Sequence, residues 1–275
     1  MKTVRRLGFA FAWVIVLTGC AAPSQTTTSQ PTVEDQEVEE QEVEFFEGTV
    51  YISPDVLTPE SPTDFLAITA RGTMVRETFD RRVNDWVEEE MHVYAASYQC
   101  SFEVDVLVNI EFSESEAKNL AEGYARVLGQ LPIAARSQVY ELWIHAGDFP
   151  AGGGNQSILI HTDLAERDQD YIEEIFIHES AHTSLDWQFG GLVRETDWIA
   201  ASALDAGFVS SYAEQFPDRE DIAESFGAYA LWLQATEKPG LKADAQRIEA
   251  LIPKRLGFFD QMGKQLRFES VSCMS

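Results

Sequence analysis

Residues 172–185 read IEEIFIHESAHTSL, and the fold expected for this chain depends on that stretch. Its apolar residues recur at the three- and four-residue spacing of a single helical face: Ile172, Ile175, Phe176, Ala181 and Leu185. The stretch therefore predicts a helix that packs in the core. Asp168 or Asp170 is expected to cap this helix, which would run to about Asp186.

His178, Glu179 and His182 form a His-Glu-x-x-His motif within that helix. Residues four apart lie on one helical face with their Cβ atoms about 5–6 Å apart, so both imidazoles can bind one Zn²⁺. Glu179 projects beside them and can accept a proton from a water molecule at the open metal position. The motif predicts a zinc site with Glu179 as general base. Two histidines that only pack within a core helix are the alternative.

Zinc needs a third protein ligand, and the motif alone does not supply it. A metzincin would continue with Gly and His at fixed spacing, but Leu185 and Gln188 occupy those positions. Glu195 is a candidate carboxylate in helical surroundings. It follows His182 closely, which leaves little chain for a turn and a second antiparallel helix.

Glu220 is the favoured third ligand. It lies in a helix expected to start after Pro217, with Asp218 as the cap. Glu224 is on the same helical face, so one carboxylate can bind zinc while the other accepts a hydrogen bond from a ligand histidine. Stabilisation of the helix dipole is the alternative role for acidic residues in a first turn.

Three segments together resemble the gluzincin pattern of the anthrax lethal factor catalytic domain and its relatives: His178–His182, Ser211–Ala213 and Glu220–Phe226. In that group a Tyr precedes a Glu-x-x-Ala-Glu helix, although here the spacing from Tyr212 to Glu220 is one residue longer. The resemblance covers only residues 178–226. It implies a zincin-like fold, Glu220 as third ligand, Glu224 as partner of a ligand histidine, and Tyr212 as a hydroxyl directed at the substrate carbonyl.

Other segments predict the rest of the domain. Apolar and polar residues alternate in a strand over 102–112, and further strands are expected over 139–144 and 157–161, the last after a glycine loop at 152–154. A helix from Ser113 or Ser115 is expected to reach about Leu131, and residues 191–240 are expected to be mostly helical. Strands followed by helices predict an α+β domain with a mixed sheet and a helical C-terminal lobe. Residues 53–100 show no clear period and receive no prediction.

His161 ends the strand that precedes the motif helix. By resemblance to zincins, that strand is the sheet edge on which an extended substrate pairs. His161 is therefore a candidate substrate contact, although a purely structural histidine is the favoured interpretation. His145, at the end of the preceding strand, is expected to be structural.

The N-terminus predicts export. Basic residues precede a short apolar run over 7–18, which suits a secretory signal better than a membrane span of about 20 residues. The run ends in Leu-Thr-Gly-Cys20, which resembles a bacterial lipobox. We expect residues 1–19 to be a signal peptide, 20–47 a lipidated acidic tether and 48–275 the zincin-like domain. The lipid would anchor the protein in the bacterial cell envelope, at the outer membrane because Ala21 follows. An ordinary signal peptide or a weak membrane helix, each with an incidental cysteine, is the alternative.

Cys100 and Cys273 remain after removal of the signal peptide. An oxidising compartment favours a disulfide between them, with two separate thiols as the alternative.

Composition narrows the classes of partner. The chain has 275 residues, 45% of them hydrophobic, and a formal net charge of −26. The hydrophobic fraction allows a sizeable core. The negative charge opposes binding to nucleic acid and to anionic lipid headgroups. We therefore expect contact with the membrane only through the lipid, and no prediction follows for the oligomeric state.

These patterns together predict a zinc metallopeptidase that binds one Zn²⁺ per chain and hydrolyses a peptide or protein substrate. A non-catalytic zinc-containing envelope lipoprotein that acts as a binding module is the second hypothesis. A structural envelope protein with a coincidental motif is the third, and an amidase acting on cell-wall peptides is a variant of the first.

Overall fold

The computed structural model describes residues 45–49 and 53–268. The predicted signal peptide, Cys20, most of the tether and Cys273 lie outside the described residues. Lipidation and the Cys100–Cys273 bridge therefore stay predictions. In the described part of the chain, no helix combines the length and the apolar character needed to cross a bilayer.

The described residues form an α+β fold around one six-stranded mixed sheet, which confirms the predicted fold class and the mixed sheet. Its strands are β1 (Phe65–Asp80), β2 (Asp85–Tyr98), β3 (Glu103–Asn109), β4 (Glu141–His145), β5 (Gly152–Gly154) and β6 (Ser157–His161). Their spatial order is β1-β2-β3-β4-β6-β5. The central strands β3, β4 and β6 are parallel, and the other neighbours are antiparallel.

Nine helices are described, most of them in the C-terminal half. They are α1 (Glu114–Leu128), α2 (Ile133–Arg136), α3 (Thr162–Arg167), α4 (Ile172–Ser184), α5 (Glu195–Ser202), α6 (Ser211–Gln215), α7 (Pro217–Gln234), α8 (Lys242–Leu251) and α9 (Pro253–Gln261). The main core includes Val106 of β3, Ile144 of β4 and buried residues of α1, α4 and α7. A smaller cluster contains Leu107 and Trp143. Since neighbouring strand residues face opposite ways, the smaller cluster lies on the other face of the sheet.

Two helices start differently from the prediction. Neither Asp168 nor Asp170 caps α4, because α3 and a short 3₁₀ turn precede it and Tyr171 occupies the cap position without a side-chain hydrogen bond. Phe216 precedes α7, and Pro217 is its first residue. A backbone N–H in the first helical turn has no acceptor within the helix, so proline, which lacks this N–H, loses no hydrogen bond there. Asp218 is consequently inside the first turn and is not the cap.

The predictions for α1 and the central strands hold with small shifts in their bounds. Ser113 caps α1, accepting a hydrogen bond from the Glu116 backbone N–H while the Glu116 carboxylate binds the Ser113 backbone N–H. The region left without a prediction contains the long β1–β2 hairpin. The expected glycine loop at 152–154 is strand β5, antiparallel to β6.

The N-terminal boundary of the domain also shifts. The backbone N–H of Phe46 donates to the Val209 carbonyl at 2.9 Å, and the Phe46 side chain is buried. Residues 45–47, assigned to the tether by their sequence, are therefore part of the described domain.

Candidate metal centre

Helices α4 and α7 pack against each other and bring three predicted ligands together. The Nε2 atoms of His178 and His182 are 3.1 Å apart, and Glu220 Oε2 lies 3.1 Å from His182 Nε2 and 3.4 Å from His178 Nε2. All three residues are buried. Ligands at 2.0–2.1 Å from a tetrahedral zinc ion are about 3.3 Å apart. The three atoms therefore have the spacing that one such ion requires.

Carboxylates lie on the far side of both rings, but only one is within hydrogen-bond distance. His178 Nδ1 lies 3.2 Å from Glu224 Oε1, whereas His182 Nδ1 lies 3.8 Å from Asp186 Oδ2 and has no hydrogen-bond partner among the described residues. Glu224 therefore favours the His178 tautomer with hydrogen on Nδ1, which turns Nε2 towards His182 and Glu220. A positive charge among these electronegative atoms would stabilise their close approach.

In the metal-free chain, the pKa values of His178 and Glu220 also show that this cluster favours a positive charge. Burial opposes protonation of His178, but the adjacent Glu220 and Glu224 carboxylates outweigh it and raise the pKa of His178 to about 10. Burial would raise the pKa of Glu220, yet its hydrogen bonds to both histidines hold that pKa well below the usual range. Both shifts favour a positive charge on His178 beside a Glu220 carboxylate that stays ionised.

Glu224 is held firmly behind His178. Its side chain is 1% exposed. It accepts a hydrogen bond of 2.6 Å from Ser210 Oγ and a second one from Thr49 Oγ1. Because these two hydroxyls hold the carboxylate in place, it can fix both the orientation and the tautomer of His178.

Glu179 and the three candidate ligands line one cavity of about 630 Å³. Tyr212 also lines it, and its hydroxyl donates to Glu220 Oε1 at 3.1 Å. Burial, together with the neighbouring Glu220 carboxylate, raises the pKa of Tyr212, so the phenol keeps its proton. A carboxylate, a hydroxyl donor and a metal-binding set thus face the same space.

Strand β5 forms the sheet edge beside this cavity, where the prediction had placed β6. Gly152 and Gly153 line the cavity, and Gly153 touches α4 so closely that an added Cβ would lie 2.1 Å from the Glu179 carbonyl oxygen. Thr183 of α4 reinforces the contact, because its hydroxyl accepts from the Gly154 N–H at 2.8 Å. The absence of side chains at 152–154 therefore sets the distance between this edge and Glu179.

Two other candidates lie elsewhere. His161 is 1% exposed, does not line the cavity, and stacks beside His145 on the opposite face of the sheet. This position favours the structural role expected for His161 over contact with a substrate. Burial lowers the pKa of both histidines, to about 4 for His145. Glu195 begins α5 and lines a separate cavity, so it does not join the three ligands.

Sequence reasoning missed several residues of the centre. Arg219 donates to Glu220 Oε1 at 3.0 Å, and Asp186 faces His182. Both are close in sequence to a predicted ligand, so adjacency and four-residue spacing could have identified them.

Thr49 and Ser210, which hold Glu224, carry no comparable signal. Thr49 is 175 residues from Glu224 in the chain and Ser210 is 14 residues from it, and only the folded structure brings both hydroxyls to this carboxylate. The same is true of Arg81, which lines the cavity from the β1–β2 turn.

Comparisons with protein-family models, curated proteins and solved structures found no match.

Proposed function

We propose that the chain is a zinc-dependent metallopeptidase with a zincin-like fold of the gluzincin type. One observation carries the proposal: three lone-pair donors with the spacing of a zinc tetrahedron stand in the wall of a cavity that also holds Glu179. His178, His182 and Glu220 would hold the ion. Imidazole and carboxylate donors are those found in catalytic zinc sites, where three protein ligands leave one position open.

A bound Zn²⁺ supplies Lewis acidity, which polarises a carbonyl oxygen and makes water a better nucleophile near neutral pH. Glu179 accepts the proton of the attacking water and returns it to the leaving amine. Tyr212 keeps its phenolic proton, which goes to Glu220 Oε1 in the metal-free chain and would turn to the developing oxyanion when Glu220 binds the ion. Glu224 keeps the His178 ring in its binding orientation.

Substrate binding follows from the sheet edge. Among the described strands, β5 lies at the end of the sheet with β6 as its neighbour, and it lines the cavity with Gly152 and Gly153. An extended peptide can add to such an edge through backbone hydrogen bonds, which places one of its carbonyl groups near Glu179. A peptide or protein substrate is therefore proposed, delivered to an enzyme anchored in the cell envelope through Cys20.

A peptide-library digestion tests the proposal. Purified protein loaded with Zn²⁺ is expected to cleave peptides, to stop when a chelator is added and to recover with Zn²⁺. Glu179→Gln should bind the same amount of zinc and cleave about 10²–10⁴-fold more slowly. Full-rate cleavage by Glu179→Gln would remove this residue from the mechanism. Zinc binding without any cleavage by the wild-type protein would favour the non-catalytic binding lipoprotein instead.

A further inference from the structure

A second cluster of metal-binding side chains lies away from the cavity. The parallel strands β3, β4 and β6 end in Asn109, His145 and His161. The register pairs His145 directly with His161, and their ring centroids are 5.7 Å apart. Alternation along the strands places both histidines on the same face as Trp143, opposite the main helical core.

The β1–β2 hairpin adds two carboxylates to this face. One ligand atom each from Asp80, Glu89 and His145 lies within 4.8 Å of the other two. Glu89 Oε1 is 3.5 Å from His145 Nδ1, and Asp80 Oδ1 is 3.9 Å from His161 Nε2. The first separation is close to the tetrahedral edge of about 3.3 Å, whereas the second is wider, so Asp80 and His161 would draw together on binding an ion.

His161 provides an independent indication of a bound group. Its side chain is buried, and neither ring nitrogen has a hydrogen-bond partner among the described residues. A buried polar group without a partner costs about 1–3 kcal/mol, and its Nε2 is directed towards Asp80. His145 is also only weakly engaged, since each of its hydrogen-bond contacts is 3.4 Å or longer.

The charges around the cluster favour a cation. Arg82 binds Asp80 and Glu111, and its Nη2 lies 3.4 Å from His145 Nδ1, so one guanidinium faces two carboxylates and would turn aside from His145 on binding of an ion. Glu89 is instead held by neutral donors, Asn109 at 2.6 Å and Thr78 at 3.2 Å. A divalent ion would supply the charge that these contacts lack. The mixture of imidazole and carboxylate donors suits zinc and similar transition metals better than Mg²⁺ or Ca²⁺.

We propose that Asp80, Glu89, His145 and His161 form a second site for a divalent transition-metal ion, with Zn²⁺ the first ion to test. The ion joins the base of the β1–β2 hairpin to the ends of the parallel strands. It thereby fixes Arg81, the residue after Asp80, whose guanidinium donates to the Ala151 carbonyl at 2.9 Å in the wall of the 630 Å³ cavity. The role is structural. The site uses different residues from the proposed catalytic centre.

The test separates the two sites by removing the first. A His178→Ala/His182→Ala variant of the full chain is titrated with Zn²⁺ and, in parallel, with Co²⁺ by calorimetry, and bound metal is quantified after dialysis. One equivalent is expected to remain, and it should raise the melting temperature. Adding Glu89→Gln, an isosteric change at a partly exposed side chain, should weaken binding at least tenfold. Glu88→Gln, on the exposed opposite face of β2, is the matched control and should leave binding unchanged.

Several outcomes would overturn the second site. A folded His178→Ala/His182→Ala variant that binds no Zn²⁺ or Co²⁺ would do so, as would equal affinity in the Glu89→Gln and Glu88→Gln backgrounds. If the double histidine variant fails to fold, the stoichiometry of otherwise wild-type protein decides. Two zinc ions per chain, falling to one in Glu89→Gln, support the site, whereas a stoichiometry unaffected by Glu89→Gln refutes it. If the second site exists but the proposed catalytic centre binds no zinc, otherwise wild-type protein would bind one zinc ion per chain, and Glu89→Gln would abolish that binding.

Discussion

Replacement of Glu224 by Gln tests how the proposed metal ligands are held. In the structure, Glu224 Oε1 lies 3.2 Å from His178 Nδ1 and Oε2 accepts from Ser210 Oγ. Glutamine has the same shape, so its carbonyl oxygen can still face His178. The change removes the negative charge and places an NH₂ group where the carboxylate accepted from Ser210. The perturbation is therefore electrostatic, with little change in volume.

The expected magnitude follows from these contacts. A charge-assisted hydrogen bond to His178 becomes a neutral one of about half the strength. Ser210 Oγ already accepts from the Ala213 N–H, which limits its ability to accept from the new NH₂ group as well. Loss of such a supporting partner typically weakens metal binding 10–100-fold, which is about 1.4–2.7 kcal/mol of binding free energy. Glu224→Gln should therefore bind Zn²⁺ 10–100-fold more weakly and remain folded.

Competition with a zinc-chelating dye measures this change in affinity. Asp218→Asn is the matched control, because it removes one negative charge from the exposed first turn of the same helix. Its zinc affinity should stay within about twofold of the wild type, since exposed charges are screened by solvent. Equal zinc affinity in Glu224→Gln and Asp218→Asn would refute the claim that Glu224 supports the ligand set.

Three further predictions concern the rest of the centre. Tyr212→Phe should lower kcat about 10²–10³-fold while changing zinc content little; a variant with full turnover, or one whose only defect is zinc loss, contradicts the oxyanion role. Gly153→Ala should lower the free energy of unfolding by about 1–3 kcal/mol and reduce turnover, because its Cβ would meet the Glu179 carbonyl oxygen. The matched Gly257→Ala has open space around its Cβ and should not destabilise the protein in urea unfolding. In chelator-treated protein, the pKa of His178 is raised to about 10 from 6.5, so its stabilising contribution is complete below about pH 6.5 and is lost as the pH rises through about 10. Urea unfolding at pH 6, 8 and 10 should show this loss, and an equal loss in His178→Ala would contradict it.

The parts of the centre that were predictable depend on local spacing. His178, Glu179 and His182 share one helix, so their relative positions follow from helical geometry alone. Glu220 required a choice between two downstream carboxylates, and the packing of α4 against α7 places it beside the histidines. The Thr49 hydroxyl that binds Glu224 was not predictable, because it lies in a segment far from Glu224 in the chain, and Ser210 was missed although it directly precedes the Ser211–Ala213 segment.

The sheet was only partly predictable for a physical reason. Strands β3, β4 and β6 are central and largely buried, so their apolar residues show in the sequence. Strand β1 is an edge strand with most of its residues exposed, and its sequence therefore lacks a buried face that would show as alternation. Strand β5 consists of three glycines, which resemble a loop until their close contact with α4 is known.

Diffraction from crystals grown with Zn²⁺, recorded on both sides of the zinc absorption edge, tests the central claim most directly. The account predicts an anomalous peak about 2.0–2.1 Å from His178 Nε2, His182 Nε2 and Glu220 Oε2, with the Glu179 carboxylate facing the same cavity. A fully loaded crystal without a peak at this position, or with zinc bound there through other residues in place of Glu220, would contradict it.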